Sequence, residues 1–154
     1  MLTKKSLSKV LQDKVSVSHR GFTVIDDEKK EKFISYQDLF TTSQKVLFNL
    51  QVQGFKKGDE VLFQVEREED FIYFSWACIL GGMVSVPLSC NNTHENIMQV
   101  SRVWKILQKP KLISTKEQLK SIVDILNNEN CGDIADEIKQ NTLLDKDILA
   151  VSYT

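Results

Sequence analysis

Eighteen consecutive residues, Phe71 to Leu88 (FIYFSWACILGGMVSVPL), carry no charge. That length approaches the roughly 20 apolar residues a membrane-spanning helix needs. The punctuation argues otherwise: Gly81-Gly82 interrupts the run and Pro87 follows. The pattern predicts a buried helix to about Leu80, a stop at the glycines, and a short buried strand from Met83 to Val86. Glycine ends a helix well because it enters the left-handed region without steric penalty. Two elements that are apolar nearly all round belong at the centre of an α/β layer.

Around this run the pattern alternates between the two periods. Leu7, Val10 and Leu11 share a helical face, which predicts an amphipathic helix from Leu2 to Lys14. Gly21 to Asp26 reads as a strand, the charged stretch DDEKKEK as a turn, and Phe33-Ile34 as a returning strand, together an antiparallel hairpin. Ser35 can cap the next helix, with Asp38 near the positive end of its dipole. Leu39, Phe40, Val46, Leu47 and Leu50 form its apolar stripe, and Gly54 ends it. Val61 to Val65 is a strand of residues that suit a pleated, buried surface. Glu66 to Asp70 opens the helix that enters the uncharged run. Thr93 caps a helix from His94 to Leu107, and Pro110 lies just beyond it. Lys111 to Ser114 is a strand, and Thr115 caps a helix through Leu126. Asp133 to Lys139 is a short helix, and Ile148 to Tyr153 a last strand.

From Ser35 onward helix and strand alternate with short connections. This predicts an α/β fold: a mostly parallel sheet with helices on both faces and a small antiparallel hairpin near the N-terminus. The 154 residues fit one domain. In such sheets ligands bind beyond the carboxyl ends of the strands. The expected last strand stops at such an end, which suggests a fragment of a longer domain.

Composition removes several classes of function. A net charge of −1 gives no footprint for nucleic acid or an anionic membrane. The three cysteines, Cys78, Cys90 and Cys131, are odd in number and widely spaced, which favours free thiols and a reducing, cytoplasmic compartment. The N-terminus lacks the apolar stretch of a signal peptide.

Candidate chemistry is sparse. Cys90 and His94 have a C-x-x-x-H spacing, but two ligands do not make a closed zinc site. Cys78 reads as a small apolar residue on a buried helix. His19 has no partner constellation and reads as a surface residue. The acids from Glu66 to Asp70 read as a solvated helix start, and Trp76 and Trp104 as core. Gly81-Gly82 lacks the G-x-G-x-x-G pattern of a dinucleotide site and follows a helix rather than a strand.

Several stretches, in order, resemble the adenylate-forming ligases: acyl-CoA synthetases, fatty-acyl-AMP ligases and the adenylation domains of nonribosomal peptide synthetases. Ile34-Ser35-Tyr36-Gln37-Asp38-Leu39 is similar to that family's early L-T/S-Y-x-E-L motif, with Asp for Glu. Gly54-Phe55-Lys56-Lys57-Gly58-Asp59-Glu60-Val61 is similar to its G-v-x-x-G-D-x-V turn and strand. Leu80-Gly81-Gly82-Met83-Val84-Ser85-Val86-Pro87-Leu88 is similar to L-x-A-G-x-x-x-v-P-L. Asp147 to Thr154 resembles the lead-in D-x-A-x-x-x-Y-T, with Leu149 where Ala is usual. The resemblance runs from about Ser6 to Thr154. Phe74 to Cys78 and Val103 to Leu107 look closest to loading adenylation domains of hybrid polyketide–peptide synthetases and to fatty-acyl-AMP ligases.

The resemblance implies that residues 1–154 are one domain, the N-terminal subdomain of an adenylation domain, ending just before the phosphate-binding loop. It implies ATP and magnesium as requirements of the complete enzyme and Thr154 as the start of the phosphate loop. It also implies a carrier-protein phosphopantetheine arm or coenzyme A as acyl acceptor, and the remainder of the same ligase as partner. The scaffold would lie here and the catalysis elsewhere, leaving this chain inactive alone. The expected partner surface is an apolar patch near Ile148–Tyr153, with a tendency to self-associate. Two other readings stay open: a stand-alone α/β assembly module without catalysis, and a small nucleotide-binding protein of flavodoxin-like shape.

Overall fold

A computed structural model describes residues 5–17 and 19–149. Helix α1 (Leu7–Val15) starts at Ser6, whose hydroxyl accepts from the Lys9 amide at 3.3 Å. Strands β1 (Gly21–Ile25) and β2 (Glu31–Ser35) form the antiparallel hairpin. They approach so closely that a Cβ on Gly21 would lie 2.0 Å from the Ile34 carbonyl oxygen. Ser35 then caps α2 (Tyr36–Val52), its hydroxyl accepting from the Asp38 amide at 3.0 Å.

The rest alternates: β3 (Glu60–Phe63), α3 (Glu68–Gly81), β4 (Val84–Pro87), α4 (His94–Ile106), β5 (Pro110–Ser114), α5 (Lys116–Asn128), α6 (Gly132–Gln140), β6 (Thr142–Leu144) and α7 (Asp145–Leu149). The four later strands pair in parallel in the order β4-β3-β5-β6. The fold is α/β, with helices on both faces of this sheet. The chain steps from β3 to β4 on one side, then returns across β3 to β5. Right-handed crossovers in opposite directions put α3 and α4 on opposite faces.

Register decides which side chains meet each layer. Phe63 pairs with Ile113 and Leu62 with Leu112. Alternation sends Val61, Phe63 and Ile113 into one core with α1, α2, α3 and α7. Leu62 and Leu112 enter the other with α4, α5 and α6. Each such fully buried Leu or Phe contributes about 1.5–3 kcal/mol relative to exposure. Helix α3 ends as its glycines predict. Gly82 sits at φ +65°, and the Met83 amide bonds back to the Cys78 carbonyl at 2.9 Å. The Gly82 carbonyl accepts from the Gly58 amide at 2.9 Å, tying this helix end to the turn before β3.

Three sequence expectations are corrected. The strand after the glycines is an edge strand, not a central one, with Val84 50% exposed. Apolar composition marked it for burial, but the reversal of direction after β4 leaves it outermost. The expected strand from Ile148 to Tyr153 is wrong at its start, because Ile148 and Leu149 lie in α7; residues 150–153 are outside the described residues. The fourth described strand of the sheet is instead Thr142–Leu144, too short to show a period of two. Ile148 and Leu149 are also buried, so the expected exposed patch does not begin there. Exposed apolar side chains are Phe33, Phe48, Val52, Val84 and Ile106 among others.

Candidate functional site

The direction of the crossovers reverses after β4, so the carboxyl ends of the parallel neighbours β3 and β5 flank the switch point where open α/β sheets bind ligands. Gln64 follows β3 and Ser114 ends β5 there, and both are fully buried. The Gln64 amide donates to the Ser89 carbonyl at 2.9 Å and its side-chain oxygen accepts from the Ser114 hydroxyl at 3.4 Å. The Gln64 backbone amide donates to the Ile113 carbonyl at 2.9 Å. The switch point is thus filled by side chains that satisfy one another. It holds strands and loops in register rather than opening a pocket, which argues against a flavodoxin-like nucleotide site here.

Cys90 lies on the loop after β4, half-buried. Burial, with Glu66 and Asp145 nearby, pushes its thiol up to about 11. Asp145 opens α7, and burial followed by the charge of Glu117 raises its carboxyl above the usual range. Three carboxylates thus bear on this end of the sheet. Such a field disfavours a thiolate and a phosphate alike. Cys78 is buried in α3 and its thiol is pushed up to about 12 by desolvation. Neither cysteine is an activated nucleophile.

A concave region of about 660 Å³ lies between the hairpin turn and the start of α3. Asp26, Asp27, Glu28 and Glu31 line one wall and Glu66, Glu68 and Glu69 the other, against Lys30, Lys32 and Arg67. Glu69 closes it as a clamp. Its side chain is 8% exposed, paired with Lys32 at 2.8 Å and Arg67 at 3.2 Å. The excess of acids makes this groove unsuited to nucleotide phosphates.

The sequence candidates fall as follows. Thr154 lies outside the described residues. His94 does not join Cys90: its Nε2 meets Glu129 Oε1 at 2.8 Å. Among the described residues no cluster of three or more His, Cys, Asp or Glu could hold a metal ion. His19 is exposed. Trp104 is core, and Trp76 packs against the core. The acids at the start of α3 are not all solvated, since Glu69 and Asp70 are 6% and 5% exposed. Sequence reasoning missed Gln64, although a lone polar residue in the run VLFQV was a usable signal. No helix among the described residues is long and apolar enough to cross a membrane.

No protein-family model matches the chain. Solved structures do. The chain is similar to the structure of McyG A-PCP complexed with phenylalanyl-adenylate, at 27% identity and a TM-score of 0.80, covering 97% of this chain and 23% of that one. It is also similar to the adenylation domain of a keto acid-selecting NRPS module bound to keto acyl adenylate, at 24% identity and a TM-score of 0.75, covering 95% and 27%. A fatty acyl-adenylate ligase from Legionella pneumophila, in complex with acyl adenylate and pyrophosphate, shares the fold at 18% identity and a TM-score of 0.70, covering 96% and 25%. The fold is therefore one found in adenylation domains and fatty acyl-AMP ligases. The chain spans about a quarter of the length of these structures.

Proposed function

We propose that this chain is the N-terminal scaffold of an ATP-dependent, acyl-adenylate-forming ligase. The observation that carries the reading is the overlay of 97% of the chain, at a TM-score of 0.80 and 27% identity, on a structure complexed with phenylalanyl-adenylate. The closed switch point supports a scaffold role. Gln64, Ser89 and Ser114 lock the carboxyl end of the sheet instead of presenting donors to a ligand.

In this reading the complete enzyme joins a carboxylic acid to AMP with release of pyrophosphate, using ATP and magnesium. It then passes the acyl group to a carrier-protein phosphopantetheine thiol or to coenzyme A. The described residues fit neither the phosphates nor the metal. They offer no cluster of three or more metal-ligating side chains, and their acidic groove and the carboxylates at the end of the sheet disfavour anions. No step is assigned to them. Thr154 would begin the phosphate loop of the complete enzyme.

Carboxylate-dependent ATP–pyrophosphate exchange tests the proposal, on this chain and on a version extended through any downstream reading frame. Exchange only in the extended form is the expected result. Exchange in neither, across a broad panel of acids, would replace the ligase with an assembly module that keeps the fold without the chemistry.

A further inference from the structure

Among the described residues strand β4 is the outer strand of its sheet. Val84-Ser85-Val86-Pro87 carries no charge, and its protection as an edge is its shortness and Pro87 rather than charged side chains. Val84 is 50% exposed. The Val84 amide donates to the Asp59 carbonyl at 2.9 Å and the Leu88 amide to the Phe63 carbonyl at 3.1 Å, so these even-numbered residues face β3. Ser85 and Pro87 then turn their main chain outward. Pro87 has no N–H to offer, and the Met83 amide is already bonded to the Cys78 carbonyl. Between Met83 and Pro87, Ser85 alone presents an outward donor. The edge is apolar in its side chains but poor in its hydrogen-bonding groups.

A second bare apolar residue lies at the same end of the sheet. Val84 is the register partner of Glu60. The Glu60 carboxylate accepts from the Gln108 and Lys109 amides at 2.8 and 2.9 Å. Ile106, at the end of α4 just before these residues, is 80% exposed. This is the amino end of the sheet, opposite the end where such folds bind small ligands. Apolar exposure there fits a protein contact rather than a pocket.

We propose that the β4 edge, with Ile106, is a seam against which the remaining part of an adenylation-type domain packs, through side chains of a helix or loop rather than through an added strand. The occupant is argued from length: nearly all of this chain overlays on 23% of a chain several times longer, so the same fold there belongs to a longer polypeptide that supplies a cover. The inference rests on the ligase reading for its occupant.

The test uses a thiol introduced by Val84→Cys in a chain carrying Cys90→Ser and Cys131→Ser. Cys78 stays silent because it is buried with its thiol pushed up to about 12. Maleimide labelling is compared between the 154-residue chain and a chimera in which it replaces the matching part of the 27%-identical adenylation domain. Labelling slowed roughly tenfold or more in the chimera, with Ser85 amide exchange nearly unchanged, is expected. Equal labelling in a cooperatively melting chimera overturns the seam, and strong new protection of Ser85 overturns side-chain cover in favour of strand addition. Protection in the chain alone that grows with its concentration makes a second copy the occupant and also overturns the proposal. Should the chimera not fold, Val84→Lys in the chain alone decides. A Tm within about 2 °C of wild type supports a bare edge, and a larger fall shows Val84 packed within its own fold. A protected thiol without pyrophosphate exchange in the chimera leaves the seam standing and removes the ligase reading.

Discussion

The side-chain amide of Asn49 donates to the Ile148 carbonyl at 2.7 Å in a buried setting. This bond joins α2 to α7 across 99 residues of sequence. It gives the last described helix a fixed seat on the first core. Replacing Asn49 by Ala leaves the Ile148 carbonyl buried without its partner, which costs about 1–3 kcal/mol. A denaturant melt of Asn49→Ala should show that loss. Hydrogen exchange should also show α7 opening before the rest of the fold. A melt unchanged within error would mean that this bond does not hold α7 in its seat.

Glu69 ties the hairpin to α3. Removing Lys32 leaves a carboxylate that is 8% exposed with Arg67 alone at 3.2 Å. Removing the charge from Glu69 instead leaves two cations that are 58% and 61% exposed and already in contact with water. Lys32→Ala should therefore destabilise by about 1–2 kcal/mol, and Glu69→Gln by less. A double-mutant cycle measures the coupling. Equal losses from both single variants would show that burial of Glu69 does not set the energetics.

These two contacts mark the boundary of what the sequence tells. Local signals were legible because local physics makes them: Ser35, Thr93 and Thr115 cap their helices through their own hydroxyls. Gly82 stops α3 because its backbone must turn left-handed. Two of the motifs that resemble adenylate-forming ligases sit at the Ser35 cap and the Gly82 turn, so the resemblance pointed to the fold. Strand order was not legible, because the uncharged run has the same composition at an edge as at a centre. Val84 took the edge only when the chain crossed back to β5. Long-range polar contacts such as Glu69 with Lys32 were hidden for the same reason, since the hairpin supplies one partner and α3 the other. The expected site residue, Thr154, lies outside the described residues.

Asp145 gives a pH dependence of definite sign. Its carboxyl is raised in the folded chain by burial and by Glu117. The folded state therefore holds a proton that the unfolded state has released. Stability contributed by that proton is present at low pH and falls as pH rises from the ordinary value of 3.8 through the raised folded value. Asp145→Asn keeps an oxygen to accept from the Lys146 amide, a 2.7 Å bond in the native chain, and removes the titration. The difference in stability between variant and wild type should grow in favour of the variant across this window and then level. A difference independent of pH would remove Asp145 as its source.

Cys90 offers a direct reading of the field at the carboxyl end of the sheet. Its thiol is pushed up to about 11 by burial, then by Glu66 and Asp145, from an ordinary 9.0. At pH 8 its thiolate fraction should be roughly a hundredfold below that of an exposed cysteine. Alkylation of the Cys131→Ser chain should therefore be slow at neutral pH and rise about tenfold per pH unit until the raised value is approached. Glu66→Gln should shift that profile to lower pH by removing one of the two charges. A profile that levels near pH 9 would place Cys90 in open solvent, and the acidic character of this end would then rest on Asp145 and Glu117 alone.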